Sequence, residues 1–367
     1  MARSQSRAGA GLLLAACLLA PISASAQTDA TTASGYRVFT LVTDSPPAKF
    51  PKIDPHLINP WGIAALPDGP FWIADNGTGL STLYDGAGNV IPAVFTVPPP
   101  AGQAGPAAPS GLVANTSSGF HVPGTSIPAA FIFSTEDGTI SAWAGGLTTN
   151  PQTAVLAVDN STSNAVYKGL AIGVTDAGEF LYATNFRSGK IDVFDTNFAP
   201  ALSKLTQNFR DPAMLPGYAP FGIQNIEGNL YVTYAKQDSA KHDDVRGAGH
   251  GYVDIFDTNG HLIQRLASGG ALNSPWAVVR APAGFGSLSS LILIGNFGDG
   301  WINAFDDSGQ FVAPMTDENN APIVIGGLWG LTFGGAKATN PRDLYFTAGG
   351  SHELHGWYGT IKPAVLP

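Results

Sequence analysis

The chain has 367 residues, with 18 Lys and Arg against 27 Asp and Glu and a formal net charge of −9. That balance argues against nucleic acid and anionic membrane surfaces as partners, since both repel an acidic protein. One cysteine excludes a disulfide framework, and a charged fraction of 12% beside 45 Gly and 28 Pro points to a turn-rich all-β chain.

Residues 1–26 read as a secretory signal peptide. Arg3 and Arg7 give a basic start, Ala8 to Leu19 is apolar, and Ala24-Ser25-Ala26 is a small-x-small cleavage site. Leu14-Ala15-Ala16-Cys17 resembles a lipoprotein box that would leave Cys17 lipidated, but the apolar run continues past Cys17, which favours cleavage after Ala26. Cleavage takes Lys plus Arg from 18 to 16 against the same 27 acids, so the net charge goes from −9 to −11, and no cysteine remains. The expected location is periplasmic or extracellular. No other stretch is long and apolar enough to span a bilayer. Residues 27–35 read as a flexible leader, and 36–367 as one domain.

That domain repeats. Trp61-Gly62-Ile63, Ser110-Gly111-Leu112, Lys168-Gly169-Leu170, Phe221-Gly222-Ile223, Trp276-Ala277-Val278 and Trp329-Gly330-Leu331 align, with steps of 49, 58, 53, 55 and 53 between central residues. A period near fifty with four short strands per unit is the mark of a β-propeller, here six-bladed with antiparallel four-stranded blades. The central residues are Gly or Ala because inner strands crowd the axis. Tyr84-Asp85, Phe194-Asp195, Phe256-Asp257 and Phe305-Asp306 each close a third strand, the aromatic packing between blades and the Asp bonding its own turn. The sixth unit lacks a fourth strand. Tyr36 to Val42 is otherwise unassigned and is expected to complete that blade, closing the ring and hiding two sheet edges.

Asn59-Pro60-Trp61-Gly62, Tyr234-Ala235-Lys236-Gln237-Asp238, Lys241-His242-Asp243-Asp244-Val245, Gly295-Asn296-Phe297-Gly298-Asp299-Gly300 and Glu353-x-His355-Gly356 resemble an uncharacterised family of exported bacterial proteins. That family is related to NHL-type six-bladed propellers, and some members carry a C-terminal Pro-Glu-Pro sorting tail. The residues Lys362-Pro363-Ala364-Val365-Leu366-Pro367 do not resemble it, so no sorting tail is expected here. The resemblance implies the fold and no activity.

Loops from the second to the third strand, and loops between blades, open on one face of a propeller. Asp75-Asn76, Asn185, the loop from Ala235 to Gly251, Asn296 to Gly300 and Gly350 to Gly356 all belong to that face. So the motifs gather around one channel mouth, which makes it the expected site. Asn76, Asn185 and Asn296 align as equivalent positions of blades one, three and five. With Glu353 they form a candidate ligand set for Ca2+ or another divalent cation. An Asx-turn is the plain structural alternative for each Asn. His242 and Asp243, on a seventeen-residue loop, and His355 are candidates for proton transfer. His352-Glu353-Leu354-His355 is one residue short of the zinc-protease helix motif and is flanked by glycines, which speaks against a zinc helix. Trp61, Trp276 and Trp329 read as packing aromatics. Gly-x-Ser-x-Gly is absent, and no nucleotide loop joins a strand to a helix.

Two functional readings follow. One is a divalent-metal-assisted hydrolase, lactonase or lyase on a small organic substrate. The other is a non-catalytic propeller that binds a ligand or protein on the same face, or serves as an envelope structural module. A monomer is expected in either.

Overall fold

In the computed structural model, residues 35–45 and 52–364 are described. The signal peptide and almost all of the leader lie outside them. Six small antiparallel sheets form a ring, a six-bladed β-propeller. Its inner strands are Pro60–Ala65, Pro109–Ala114, Tyr167–Thr175, Tyr218–Ile226, Pro275–Arg280 and Leu328–Phe333, in blades one to six.

The inner strands show why glycine recurs. A Cβ on Gly62 would lie 2.7 Å from the Ser110 carbonyl oxygen, and one on Gly330 2.6 Å from that of Trp61, each on the next inner strand. Each inner strand also slips register against the second strand near its start, as between Pro60 and Ile63 or between Tyr167 and Leu170. Such a bulge re-aims one side chain. Here it concerns Trp61, Ser110, Lys168, Phe221, Trp276 and Trp329. Second-strand hydroxyls fill the broken ladder. Thr347 Oγ1 accepts the Gly330 N–H at 2.9 Å and donates to the Trp61 carbonyl at 2.6 Å, joining blade six to blade one. Thr184 does the same for Gly169 and Phe221, at 2.7 Å each.

Closure follows the expectation from the sequence. Tyr36–Thr43 pairs antiparallel with Trp357–Pro363 as the outer strand of blade six. The strand-ending acids cap their own turns: Asp306 Oδ1 accepts the N–H groups of Ser308 and Gln310, each at 2.9 Å. Their aromatic neighbours Tyr84, Phe194, Phe256 and Phe305 are buried.

Blade three departs from the expected four strands. Its sheet holds only Tyr167–Thr175, Gly178–Asn185 and Lys190–Asp195. The chain beyond grips that edge through Asp195 N–H to the Ala199 carbonyl and Ala201 N–H to the Val193 carbonyl. It then leaves in a short turn at Leu202–Lys204. Only an isolated antiparallel bridge, Phe194 to Pro200, stands where the fourth strand would be. A cavity of about 320 Å3 remains there, lined by Ile191, Leu202, Phe209, Met214 and Tyr218 among others.

Candidate functional site at the channel mouth

Pairing register decides which side chains reach the mouth. Asp75 pairs with Pro60, Asn185 with Tyr167 and Asn296 with Pro275. These three are the equivalent residues, and Asn76 stands one position later. The alignment of Asn76 with Asn185 and Asn296 is therefore off by one, and in a strand one residue exchanges one face for the other. Asp75, Asn185 and Asn296 are buried. Asn185 Nδ2 donates to Asp192 at 2.9 Å while its Oδ1 accepts the Ser188 N–H at 3.2 Å. Asn296 Nδ2 donates to the Ala271 carbonyl at 2.8 Å and to Asp299 at 3.1 Å. Burial pushes the Asp75 carboxyl well above the usual range. The Asn185 amide is engaged at both ends, whereas Asn296 bonds through Nδ2 and its buried Oδ1 has no hydrogen-bond partner, and neither amide bonds Asn76.

The next position carries Asn76, Glu136, Phe186, Ala235, Phe297 and Gly349. Their shared place is marked by matching backbone bonds, such as Asn76 N–H to the Asn59 carbonyl and Glu136 N–H to the Ala108 carbonyl. With the residues at the bulges, these meet across the ring. Trp329 is sandwiched between Trp61 and Phe297, with ring centres 3.6 and 3.8 Å away. Trp276 stands edge-on to Trp61 and Trp329, at 6.2 and 5.9 Å. Phe186 and Phe221 complete this buried cluster. The tryptophans pack as the sequence suggested, but around the axis, where they plug the channel.

A chain of polar groups rests on the plug. Lys168, only 2% exposed, pairs with Glu136 and lies 3.5 Å from Asp243 Oδ1. Its ammonium also sits 5.2 and 5.7 Å from the ring centres of Trp61 and Phe186. Glu136 accepts from Asn76 Nδ2 at 2.7 Å, and Asn76 Oδ1 accepts from Asn59 Nδ2 at 3.2 Å. Asn59 Nδ2 donates as well to Glu353 at 3.1 Å, while Asn59 Oδ1 accepts the Trp329 indole N–H at 2.9 Å. Arg246 reaches the other oxygen of Glu353 at 3.4 Å and lies over the Phe297 ring at 4.2 Å. Five blades contribute to this chain, and Phe297 adds the remaining one from below.

The seventeen-residue loop supplies His242 and Asp243. Asp238 Oδ1 accepts the His242 N–H at 2.9 Å and the Asp243 N–H at 3.3 Å, and Val245 N–H returns to the Lys236 carbonyl at 2.7 Å. His242 Nδ1 and Asp243 Oδ1 are 2.8 Å apart. That bond raises the imidazole from its ordinary value and holds the Asp243 carboxyl down to about 2. One ligand atom from each of Glu136, His242 and Asp243 lies within 4.8 Å of the others, a possible metal-binding triad.

Glu353 arrives by a strained route. Gly350–Glu353 forms a single turn in which Ser351, His352 and Glu353 have φ of 51°, 60° and 67°. Three consecutive left-handed residues other than glycine are unfavourable, and such strain tends to sit at functional positions. Burial pushes the Glu353 carboxyl up, and the nearby Glu136 adds to the shift, against the bond from Asn59. His355 is engaged elsewhere: its Nδ1 bonds Asp44 at 2.7 Å and lies 3.3 Å from Ser45.

Of the residues singled out from sequence, the mouth thus gathers Asn76, His242, Asp243 and Glu353. Asn185, Asn296 and His355 bond to other partners. Glu136, Lys168, Asn59 and Arg246 were missed as site residues. Lys168 had a visible signal, being the one charged residue at its repeat position. Glu136 aligns with Asn76 only once the register is known.

No family model matches the chain. Three proteins of Acanthamoeba polyphaga mimivirus do, two of them over more than four fifths of the chain. Uncharacterized protein R648 is 34% identical over 315 residues, 84% of this chain and 76% of that protein. Uncharacterized protein L690 is 33% identical over 319 residues, 85% of this chain and 82% of that protein. The chain belongs to their family. Among solved structures, it resembles a streptogramin B lyase, with a TM-score of 0.51 and 12% identity over 91% of this chain and 99% of that one. A virginiamycin B lyase from Staphylococcus aureus gives 0.50 and 13%, over 89% and 99%. A glucose dehydrogenase gives 0.51 and 12%, over 89% and 98%. At such identities the likeness is one of fold.

Proposed function

We propose that the chain is an enzyme that acts at the channel mouth on a small organic substrate, as a hydrolase, lactonase or lyase assisted by a divalent cation. The observation that carries this reading is the convergence of Glu136, His242 and Asp243 within 4.8 Å. Two carboxylates and one imidazole leave coordination positions open for substrate and water, and suit Mn2+, Ca2+ or a similar ion. Such an ion polarises a carbonyl. Glu353, with its carboxyl pushed up by burial, is the proton donor of this reading, and Asn59, Asn76 and Arg246 orient the substrate.

A binding propeller without catalysis is favoured by a different observation. Packed rings fill the mouth from beneath, and the cavity midway along the axis is only about 30 Å3. A ligand would rest on this face without entering the axis.

The test titrates the mature protein with MnCl2, reading free Mn2+ by electron paramagnetic resonance and the melting temperature with and without EDTA. Saturable binding that disappears in Asp243→Asn supports the metal reading. A melting curve indifferent to both MnCl2 and EDTA removes it. Turnover of a lactone and ester panel, lost in His242→Ala, separates catalyst from binder. The reading also has the chain exported, so mass spectrometry of protein from the periplasm or medium should find Gln27 first.

A further inference from the structure

Lys168 stands where a metal would be wanted. The other blades have Trp61, Ser110, Phe221, Trp276 and Trp329 at its repeat position. An ammonium 2% exposed is unfavourable unless well paired, and this one is paired with Glu136 and Asp243. Those are the two carboxylates of the triad with His242. The positive charge that they would draw from solution is already supplied by the chain.

We propose that Lys168 is a tethered internal cation that holds this carboxylate pair until a divalent ion displaces it, and so sets how tightly the mouth binds metal. The proposal rests on the cation reading above and concerns the regulation of that site. With the ammonium present, two carboxylates and one lysine carry a net −1. Without it the same ligands present −2 to an incoming ion, and attraction between charges this close is strong where water is scarce. The ammonium already lies within 6 Å of the ring centres of Trp61 and Phe186 while it is paired, so these faces go on holding part of its charge when an ion takes the carboxylates. Asp243, whose side chain is 67% exposed, is the open side from which an ion enters, whereas Glu136 is nearly covered.

The experiment compares Mn2+ binding to the parent, Lys168→Met and Lys168→Arg by isothermal titration. Circular dichroism melting verifies that each is folded. The methionine variant should bind at least tenfold more tightly, and the arginine variant, which keeps the charge, no more tightly than the parent. Lys168→Gln, which retains a hydrogen bond to Glu136, is the neutral variant if methionine does not fold. A folded neutral variant that binds Mn2+ no better than a binding parent overturns the proposal and leaves the cation reading standing. If neither the parent nor a folded neutral variant binds Mn2+, the cation reading itself fails, and the role of Lys168 as a competitor fails with it.

Discussion

Trp61 and Trp329, from the first and last blades, lie face to face with ring centres 3.6 Å apart. The contact lies across the seam where the ring closes, and Trp329 also holds Asn59 through its indole N–H at 2.9 Å. Packing and the polar chain above it are thus mechanically linked.

Trp329→Ala should therefore destabilise the protein by roughly 3–5 kcal/mol in urea unfolding, as for a large buried aromatic removed from a packed core. Trp329→Phe keeps a ring in the stack and loses the bond to Asn59, so it should cost less. Equal losses for the two variants would mean that the stack contributes little.

The inner-strand glycines lead to a second expectation. A Cβ on Gly222 would strike the Trp276 carbonyl oxygen, whereas one on Gly145 would meet nothing within 4 Å. Gly222→Ala should lower the melting temperature by several degrees, with Gly145→Ala within about 0.5 kcal/mol of the parent. Similar melting of the two would show that inner-strand crowding is not what selects glycine.

The strained turn at Glu353 can be relieved. His352 has φ of 60°, a conformation that glycine adopts without Cβ strain. His352→Gly should stabilise the chain by about 0.5–1 kcal/mol, the left-handed penalty of about 1–2 less the entropy that glycine loses on folding, about 0.5–1. Chemical denaturation reads the change, and a loss of stability would mean that the His352 side chain contributes more than its strain removes.

Acid should unfold the ring through its turns. Bonds from Ser308 and the Gln310 N–H hold the Asp306 carboxyl below the usual range, and the Ala321 and Asn319 N–H groups do the same for Asp317. At Asp85 and Asp195 burial opposes the shift, but bonds from Asn89 and Lys204, with those of the turns, prevail. A depressed folded pKa stabilises fully above the unfolded value and is lost as pH falls through the folded one. The turn acids should leave the melting temperature unchanged from pH 7 to about 5 and lower it below about 4, whereas the raised carboxyls of Asp75 and Glu353 add stability as pH falls through their folded values. A level curve down to about pH 3 would contradict this, and Asp306→Asn should flatten the fall.

Much of the fold was legible because its determinants are local and repeated. The spacing of Gly62, Gly111, Gly169, Gly222 and Gly330 reports strands that must crowd one axis, and the turn-capping acids mark where third strands end. The unassigned Tyr36 to Val42 had to close the last blade because nothing else could. The candidate site was only half legible. His242, Asp243, Asn76 and Glu353 could be placed on one face from loop order alone. Which side chains meet there depends on the bulge in each inner strand and on register to a single residue. That one-residue difference separates Asn76 from Asn185 and Asn296, and it aligns Glu136 with Asn76. The pairing of Lys168 with Glu136 and Asp243 belongs to tertiary structure for the same reason. It joins residues 32 and 75 positions apart, which nothing local holds together before the ring closes.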